Sequence, residues 1–188
     1  MLDFPSLWRT ALPFPDFVAA STEHCGLWVG IHKIARVPEW AAELALTDSP
    51  RHLLVLAEDW CGDASNTIPF LAKLAEQVPG LELRVLRRDE HPAAMDQYLT
   101  NGSRSIPIVI VLDADFMELG YWGPRPVELQ AWVMANRGTM PKDELYPQVR
   151  KWYARDRGDS TLREVMAIAT DSGIPASVPV PAPPQSPV

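Results

Sequence analysis

Cysteine and long apolar runs are both scarce in this chain of 188 residues. Its two cysteines, Cys25 and Cys61, are too few for a disulfide-rich scaffold or for a zinc site of four cysteines. No apolar run approaches the roughly 18 residues that a membrane-spanning helix needs. Residues 1–6 have no basic start and lead into no apolar block of signal-peptide length. We therefore expect a cytoplasmic protein with no membrane partner.

Positive charge is scarce as well. The chain has 17 Lys and Arg against 24 Asp and Glu, which gives a net charge of −7 and an isoelectric point near 5.0. Such a balance repels a phosphate backbone, so we expect no nucleic-acid partner. The four histidines are scattered without the spacing of metal ligands, and the sequence has no glycine-rich phosphate loop. We accordingly expect no metal and no other cofactor.

The apolar pattern predicts an α/β protein. Residues 52–57 form a continuous apolar run, which is typical of a strand buried on both faces, and residues 81–86 alternate like a second strand. Residues 106–112 give the strongest strand signal, and 116–122 complete a hairpin with them. Helices are predicted in the following segments: 14–46, where one helix opens at Pro38 and continues through Trp40, Leu44 and Leu46, then 68–78, 92–99, 126–136, 141–155 and 160–170.

The order of these elements predicts one globular domain with additions at both ends. Residues 1–48 form a helical extension packed on the core, 49–138 form the core with a mixed β-sheet flanked by helices, and 139–172 form further helices. Within the core, the first two strands should be parallel with a right-handed crossover, and the last two antiparallel. Residues 173–188 are rich in proline and carry no charge, so we expect a disordered tail.

The segment around Cys61 is where the sequence suggests chemistry. Cys61 stands where a buried strand ends and a helix begins, and the backbone N–H groups and dipole of a helix start stabilise a thiolate. Trp60 shields one side of this thiol, and Gly62 lets a substrate chain approach closely. Three acidic neighbours disfavour the thiolate: Glu58, Asp59 and Asp63. A reactive thiol and a half-buried inert cysteine both remain open at this point.

Several spaced features accompany this cysteine. The motif Trp60-Cys61-Gly62 follows the first buried strand, and Pro69 lies inside the helix after it. The dipeptide Ile106-Pro107 opens the strongest strand, and a glycine-containing segment, 120–123, ends the last hairpin. In this order, residues 52–137 resemble the thioredoxin family. The longer motif at residues 60–64, Trp-Cys-Gly-Asp-Ala, is similar to a bacterial branch of thioredoxin-like proteins.

The resemblance implies a thioredoxin-like fold with a defined site. Cys61 would be the nucleophilic cysteine, and a cis peptide bond before Pro107 would lie beside it and shape a substrate groove. The groove would be lined by four residues that the motifs contain: Trp60, Gly62, Ile106 and Pro107.

Two departures from the family pattern bear on activity. The second active-site cysteine of the family would stand at Ala64, and its buried acid would stand at Val55. Dithiol turnover needs a second thiol to release the product. The resemblance therefore implies that this protein is not a typical dithiol reductase.

Two hypotheses of function follow. In the first, Cys61 is a monothiol oxidoreductase site that takes part in thiol–disulfide exchange or cell redox homeostasis, with proteins or low-molecular-weight thiols and disulfides as partners. In the second, the protein is a redox-inactive binding module that grips an extended peptide or a partner protein near Trp60 and Ile106. A buried sulfur with no approach path favours the second hypothesis, and an open sulfur favours the first.

Other residues have smaller predicted roles. Cys25 is a candidate resolving cysteine if the helical extension folds over the site, and its alternative role is that of a small core residue. Arg125 is predicted to lie at the start of a helix rather than to contact a ligand. The charged residues 87–90 are predicted to form a solvated rim.

Overall fold

The computed structural model describes residues 2–42 and 44–170, without the side chain of residue 42. The predicted disordered tail, 173–188, lies outside the described residues. Among the described residues, no helix is long and apolar enough to cross a membrane.

A mixed sheet forms the centre of the fold, as the sequence predicted, and it has five strands. Its strands are β1 (Leu12–Pro13), β2 (Arg51–Ala57), β3 (Leu81–Arg87), β4 (Ile108–Leu112) and β5 (Glu118–Trp122). They lie in the order β1-β3-β2-β4-β5. Strands β2 and β3 are parallel, whereas β4 is antiparallel to both β2 and β5. Because two antiparallel steps restore the original direction, β2 and β5 both end at the same edge of the sheet.

Helices cover both faces of this sheet. They are α1 (Phe4–Thr10), α2 (Phe14–Ala19), α3 (Cys25–Ile34), α4 (Glu39–Ala42), α5 (Gly62–Ala75), α6 (Pro92–Met95), α7 (Val127–Asn136), α8 (Lys142–Asp156) and α9 (Asp159–Thr170). Helix α5 connects β2 to β3, α3 packs on α5, and α9 packs on both β5 and α5. The helices at the two ends of the chain thus lie against the core helix that begins beside Cys61.

The central strands are buried because their side chains are apolar on both faces. Every residue of β4 is buried, and so are the last five residues of β2. Val55 is paired with Val85 on one side and Val109 on the other, so the position of the family's buried acid is a dry, apolar site.

Some boundaries differ from the sequence-based expectation. The helix predicted from Pro38 through Leu46 is wrong in its second half, since α4 ends at Ala42. Leu46 N–H instead donates a hydrogen bond to the carbonyl of Pro79 at 2.7 Å, and a Cβ at Gly80 would lie 2.4 Å from the Leu46 carbonyl carbon. This tertiary pairing with the turn before β3 replaces the local helix.

Other predicted elements are present but shorter. The strands predicted over 106–112 and 116–122 begin two residues later, and the helix predicted over 92–99 is α6, which ends at Met95. Helix α1 and strand β1 were not predicted. The two residues of β1 are too few to show a period, and their pairing with Val85 and Arg84 at the edge of β3 depends on the rest of the sheet.

Candidate functional site

The start of α5 fixes the position of the Cys61 sulfur. Cys61 is the N-cap residue of α5 with an extended backbone, and its Sγ accepts a hydrogen bond from the Ala64 N–H at 3.4 Å. The same sulfur lies 3.4 Å from the Ile106 carbonyl oxygen, to which the thiol can donate. Pro69 lies inside α5. The two segments that carry the family resemblance therefore meet at this sulfur.

The peptide bond between Ile106 and Pro107 is cis, as predicted, and a second cis bond precedes Pro124. Between them, Gly123 has a φ of +133°, and a Cβ at this position would lie 2.2 Å from the Pro107 carbonyl oxygen. A residue with a side chain could not occupy this position without moving the backbone. Gly123 thus allows the loop after β5 to lie directly against the Ile106–Pro107 segment.

The Cys61 thiol is neutral at pH 7. The residue is 7% exposed, and burial raises the pKa of the thiol to about 11, with a further contribution from the charge of Asp63. The N–H groups at the helix start and the charge of Arg125 act in the opposite direction and do not outweigh burial. The sequence left open whether the helix start or the acidic neighbours dominate. In the free protein, burial and Asp63 outweigh the helix start, and the neutral thiol is favoured over the thiolate.

A first charged group on the downstream side of Cys61 consists of Asp63, Arg125 and Tyr153, which we call the downstream cluster. Arg125 Nη2 lies 2.5 Å from Asp63 Oδ2, and the Tyr153 hydroxyl donates to Asp63 Oδ1 at 2.9 Å. Arg125 Nη1 donates to Gln130, while its Nε is buried with no hydrogen-bond partner among the described residues. Burial acts to lower the pKa of Arg125, but Asp63 holds that pKa above its usual value.

Arg125 lies two residues before α7, close to the helix start that the sequence predicts, and its side chain makes a contact that the sequence does not predict. Helix α7 begins at Val127, and the Arg125 side chain turns toward Asp63 rather than serving only as a helix start. Glu164 of α9 holds this loop, because its carboxylate accepts hydrogen bonds from Trp122 Nε1 at 2.6 Å and from the Val127 N–H at 3.0 Å. Burial raises the pKa of Glu164.

A second charged group, the upstream cluster, consists of Glu58, Asp59 and Arg87. Arg87 Nη1 lies 3.4 Å from Glu58 Oε2 and 3.8 Å from Asp59 Oδ1. Both carboxylates are buried, so the prediction that residue 87 belongs to a solvated rim is wrong. Asp59 Oδ2 also accepts hydrogen bonds from the N–H groups of Thr22 at 2.7 Å and Glu23 at 3.3 Å. The upstream cluster therefore ties the N-terminal extension to the loop before Cys61.

The two neighbours of Cys61 in the motif remain accessible. Trp60 is 44% exposed, and the guanidinium of Arg88 lies 4.9 Å from the centre of its ring. A Cβ at Gly62 would meet no atom within 4 Å, so the space beside it is open. Both residues are placed where a molecule approaching the sulfur would contact them.

A pocket of about 420 Å³ opens over Cys61. Residues of α3, α5 and α8 line it together with the loop before α7. Its lining besides Trp60, Cys61 and Gly62 consists of His24, Leu27, Asp63, Asn66, Arg125, Tyr146, Val149, Arg150 and Tyr153. This volume is in the range of small-molecule sites.

Comparison with known proteins agrees with the fold. The family model described as thioredoxin matches residues 11–142. The chain belongs to the thioredoxin family.

Two solved structures are similar to this thioredoxin-family protein in fold. One is the crystal structure of an HIV epitope-scaffold, with a TM-score of 0.70, 19% identity, and coverage of 92% of this chain and 100% of that one. The other is a protein of unknown function from Pseudomonas aeruginosa, with a TM-score of 0.64, 22% identity, and coverage of 89% and 97%. A search of curated proteins finds no match. At these identities the likeness shows the fold alone.

The two cysteines of this thioredoxin-family protein are both free, and they have different surroundings. Cys25 is half-buried in the first turn of α3, and its thiol donates to the Ser21 carbonyl at 3.1 Å. Its neighbours His24 and Leu27 line the pocket, whereas Cys25 does not. Ala64, where the family has its second cysteine, is fully buried.

The described residues contain no candidate metal site. Within residues 2–42 and 44–170, no three His, Cys, Asp or Glu side chains lie close enough together to hold a metal ion.

Sequence analysis identified Asp63 but missed the other pocket residues outside the motif, and one of them had a usable signal. Arg125 follows β5, and β5 ends at the same sheet edge as β2, so the fold that the family resemblance implies places this residue near Cys61. Arg150 and Tyr153 had no such signal, because the packing of α8 beside α5 is a tertiary feature without a local pattern.

Proposed function

We propose that this thioredoxin-family protein is a monothiol that forms mixed disulfides through Cys61. The observation that carries the proposal is that Cys61 lines an open pocket of about 420 Å³. A cysteine in the core with no approach path could not react, whereas Cys61 borders a pocket that residues of α3 and α8 also line. The raised pKa makes the reaction slow at neutral pH, because only the thiolate is a nucleophile.

The reaction is a balanced exchange. Cys61 loses its proton to water, the thiolate attacks one sulfur of a disulfide, and the other sulfur leaves as a thiolate that takes up a proton. A second thiol from solution then attacks the mixed disulfide and releases Cys61. Because position 64 holds alanine, no thiol within the motif can perform this release. We therefore expect the mixed disulfide to accumulate and the protein not to reduce disulfides rapidly.

The second candidate function is a redox-inactive binding module. Two observations favour it, namely the neutral thiol and the exposed ring of Trp60. In that case Cys61 would be a buried structural residue beneath a peptide-binding surface.

The rate of adduct formation separates the two functions. In a Cys25→Ser variant, Cys61 is the one remaining thiol. It is incubated with 2-hydroxyethyl disulfide, which is neutral, and the mixed disulfide is followed by intact-protein mass spectrometry. We expect one adduct, absent from Cys25→Ser/Cys61→Ser, with a rate that rises about tenfold per pH unit from pH 7 to 9 because the thiol pKa lies above this range. If no adduct forms at any pH at which circular dichroism shows a folded protein, the binding module replaces the monothiol.

A further inference from the structure

The walls of the pocket restrict the size of the partner that can reach Cys61. A disulfide bond requires two sulfurs about 2.05 Å apart, so the attacked sulfur must enter the pocket that Cys61 lines. The same pocket is lined by Tyr146, Val149 and Tyr153 of α8 and by Leu27 of α3. A pocket of about 420 Å³ has room for a small molecule, whereas a disulfide on the surface of a globular protein brings its own backbone and neighbouring side chains with it.

The charges of the pocket restrict the chemistry of that molecule. Asp63 is the carboxylate in the lining, and it already has Arg125 at 2.5 Å and the Tyr153 hydroxyl at 2.9 Å. Arg150 also lines the pocket, is exposed, and has no ion-pair or hydrogen-bond partner in the described part of the chain. The pocket thus holds an uncompensated cation although the whole chain has a net charge of −7.

We propose that the disulfides exchanged at Cys61 are low-molecular-weight molecules with carboxylate groups, and that Arg150 determines this specificity by binding a carboxylate. The inference rests on the proposed monothiol function and adds the substrate class. The planar guanidinium of Arg150 can bind a carboxylate through two hydrogen bonds. The bound disulfide would then present one sulfur to the Cys61 thiolate and lose the other as a thiolate, with no change in overall oxidation state.

Three small aliphatic disulfides provide the test: 3,3′-dithiodipropionate is dianionic, 2-hydroxyethyl disulfide is neutral and cystamine is dicationic. Rate constants for mixed-disulfide formation are measured in the Cys25→Ser variant at pH 8 and low salt. The readout is the ratio of the anionic to the neutral rate constant, which cancels the reactivity of the thiol itself. We expect the anionic-to-neutral ratio to exceed the cystamine-to-neutral ratio by about tenfold or more. We also expect the anionic-to-neutral ratio to fall as added salt screens Arg150.

Arg150→Gln should lower the anionic-to-neutral ratio by about three- to tenfold, and Arg150→Glu should lower it further. Lys151→Gln is the matched control, because it removes the same charge from the next residue of α8, whose side chain lines a different hollow with Trp132 and Trp152. A ratio that Arg150→Gln leaves unchanged, or that Lys151→Gln lowers equally, overturns the inference while the monothiol function stands. Failure of all three disulfides to react refutes the monothiol function itself.

Discussion

The upstream and downstream clusters have similar members but different surroundings. Each has one arginine, paired with Glu58 and Asp59 before Cys61 in the upstream cluster and with Asp63 after Cys61 in the downstream cluster. The upstream cluster is bonded to protein backbone: Asp59 accepts from Thr22 and Glu23, and Glu58 accepts from the Asp89 N–H at 2.8 Å. All members of the downstream cluster, in contrast, line the pocket over the sulfur.

This difference predicts that the upstream cluster controls the stability of the fold and that the downstream cluster controls the reactivity of Cys61. The contacts of the upstream cluster join the N-terminal extension to the sheet. Loss of these contacts should therefore lower the stability of the whole fold. The charge of Asp63 raises the pKa of the Cys61 thiol and the charge of Arg125 lowers it. Removing either charge should therefore change the rate at which Cys61 reacts. Substitutions in each cluster therefore test whether the upstream cluster acts on stability and the downstream cluster on the rate of Cys61.

The largest expected effect is on stability, from Asp59→Ala. Two N–H groups in the N-terminal extension lose their acceptor and Arg87 loses one of its two carboxylates, so we expect the free energy of unfolding to fall by about 2–4 kcal/mol. Urea denaturation followed by circular dichroism measures the change. Asp59→Asn, which keeps an oxygen acceptor, should lose less. A loss below about 0.5 kcal/mol for Asp59→Ala would show that the upstream cluster does not hold the extension in place.

The next effect is on the rate of Cys61, where two substitutions should act in opposite directions. Asp63→Asn removes the charge that disfavours the thiolate, so adduct formation with 2-hydroxyethyl disulfide at pH 8 should become several-fold faster. Arg125→Gln removes the charge that favours the thiolate and should make the reaction several-fold slower. Both are made in the Cys25→Ser background and followed by mass spectrometry.

Asp59→Asn serves as the control for this pair, because the Asp59 carboxylate accepts hydrogen bonds from the N-terminal extension and does not line the pocket. It should leave the Cys61 rate within about twofold. If Asp63→Asn and Arg125→Gln shift the rate in the same direction, they act through a disturbed structure, and the electrostatic role of the downstream cluster is refuted.

The two clusters also differ in how far the sequence predicts them. The strand before Cys61, the helix after it and the Ile106–Pro107 segment follow from apolar runs and motifs, because central strands and a helix start have strong local patterns. Arg87 was predicted in solvent, because nothing in its neighbourhood shows that the loop carrying Thr22 folds over it. The wall formed by α8 depends on tertiary packing in the same way. Local patterns thus predicted the nucleophile and its acidic neighbour Asp63, but not the contacts of Arg125 and Tyr153 with that neighbour.

A smaller effect is expected on the pH dependence of stability. Burial acts to raise the pKa of Asp59, but the hydrogen bonds from Thr22 and Glu23 and the charge of Arg87 hold it below its usual value. The carboxylate therefore stabilises the fold fully above the unfolded pKa of about 3.9, and this contribution is lost as the pH falls through the lower folded pKa. The difference in unfolding free energy between the unmodified protein and Asp59→Asn should be largest near pH 7 and shrink below pH 4. A difference that grows on acidification would contradict the assignment.

The smallest expected effect is that of Tyr153→Phe, which removes one hydrogen bond inside the downstream cluster. The hydroxyl donates to Asp63 Oδ1 at 2.9 Å, so its loss should cost about 1 kcal/mol of unfolding free energy. Without this donor the charge of Asp63 acts more fully on the sulfur, and the Cys61 rate at pH 8 should fall by less than about threefold. Urea denaturation and the mass-spectrometric rate assay give the two values. A loss of rate as large as that of Arg125→Gln would mean that Tyr153 does more than hold Asp63, because the ion pair with Arg125 remains in Tyr153→Phe.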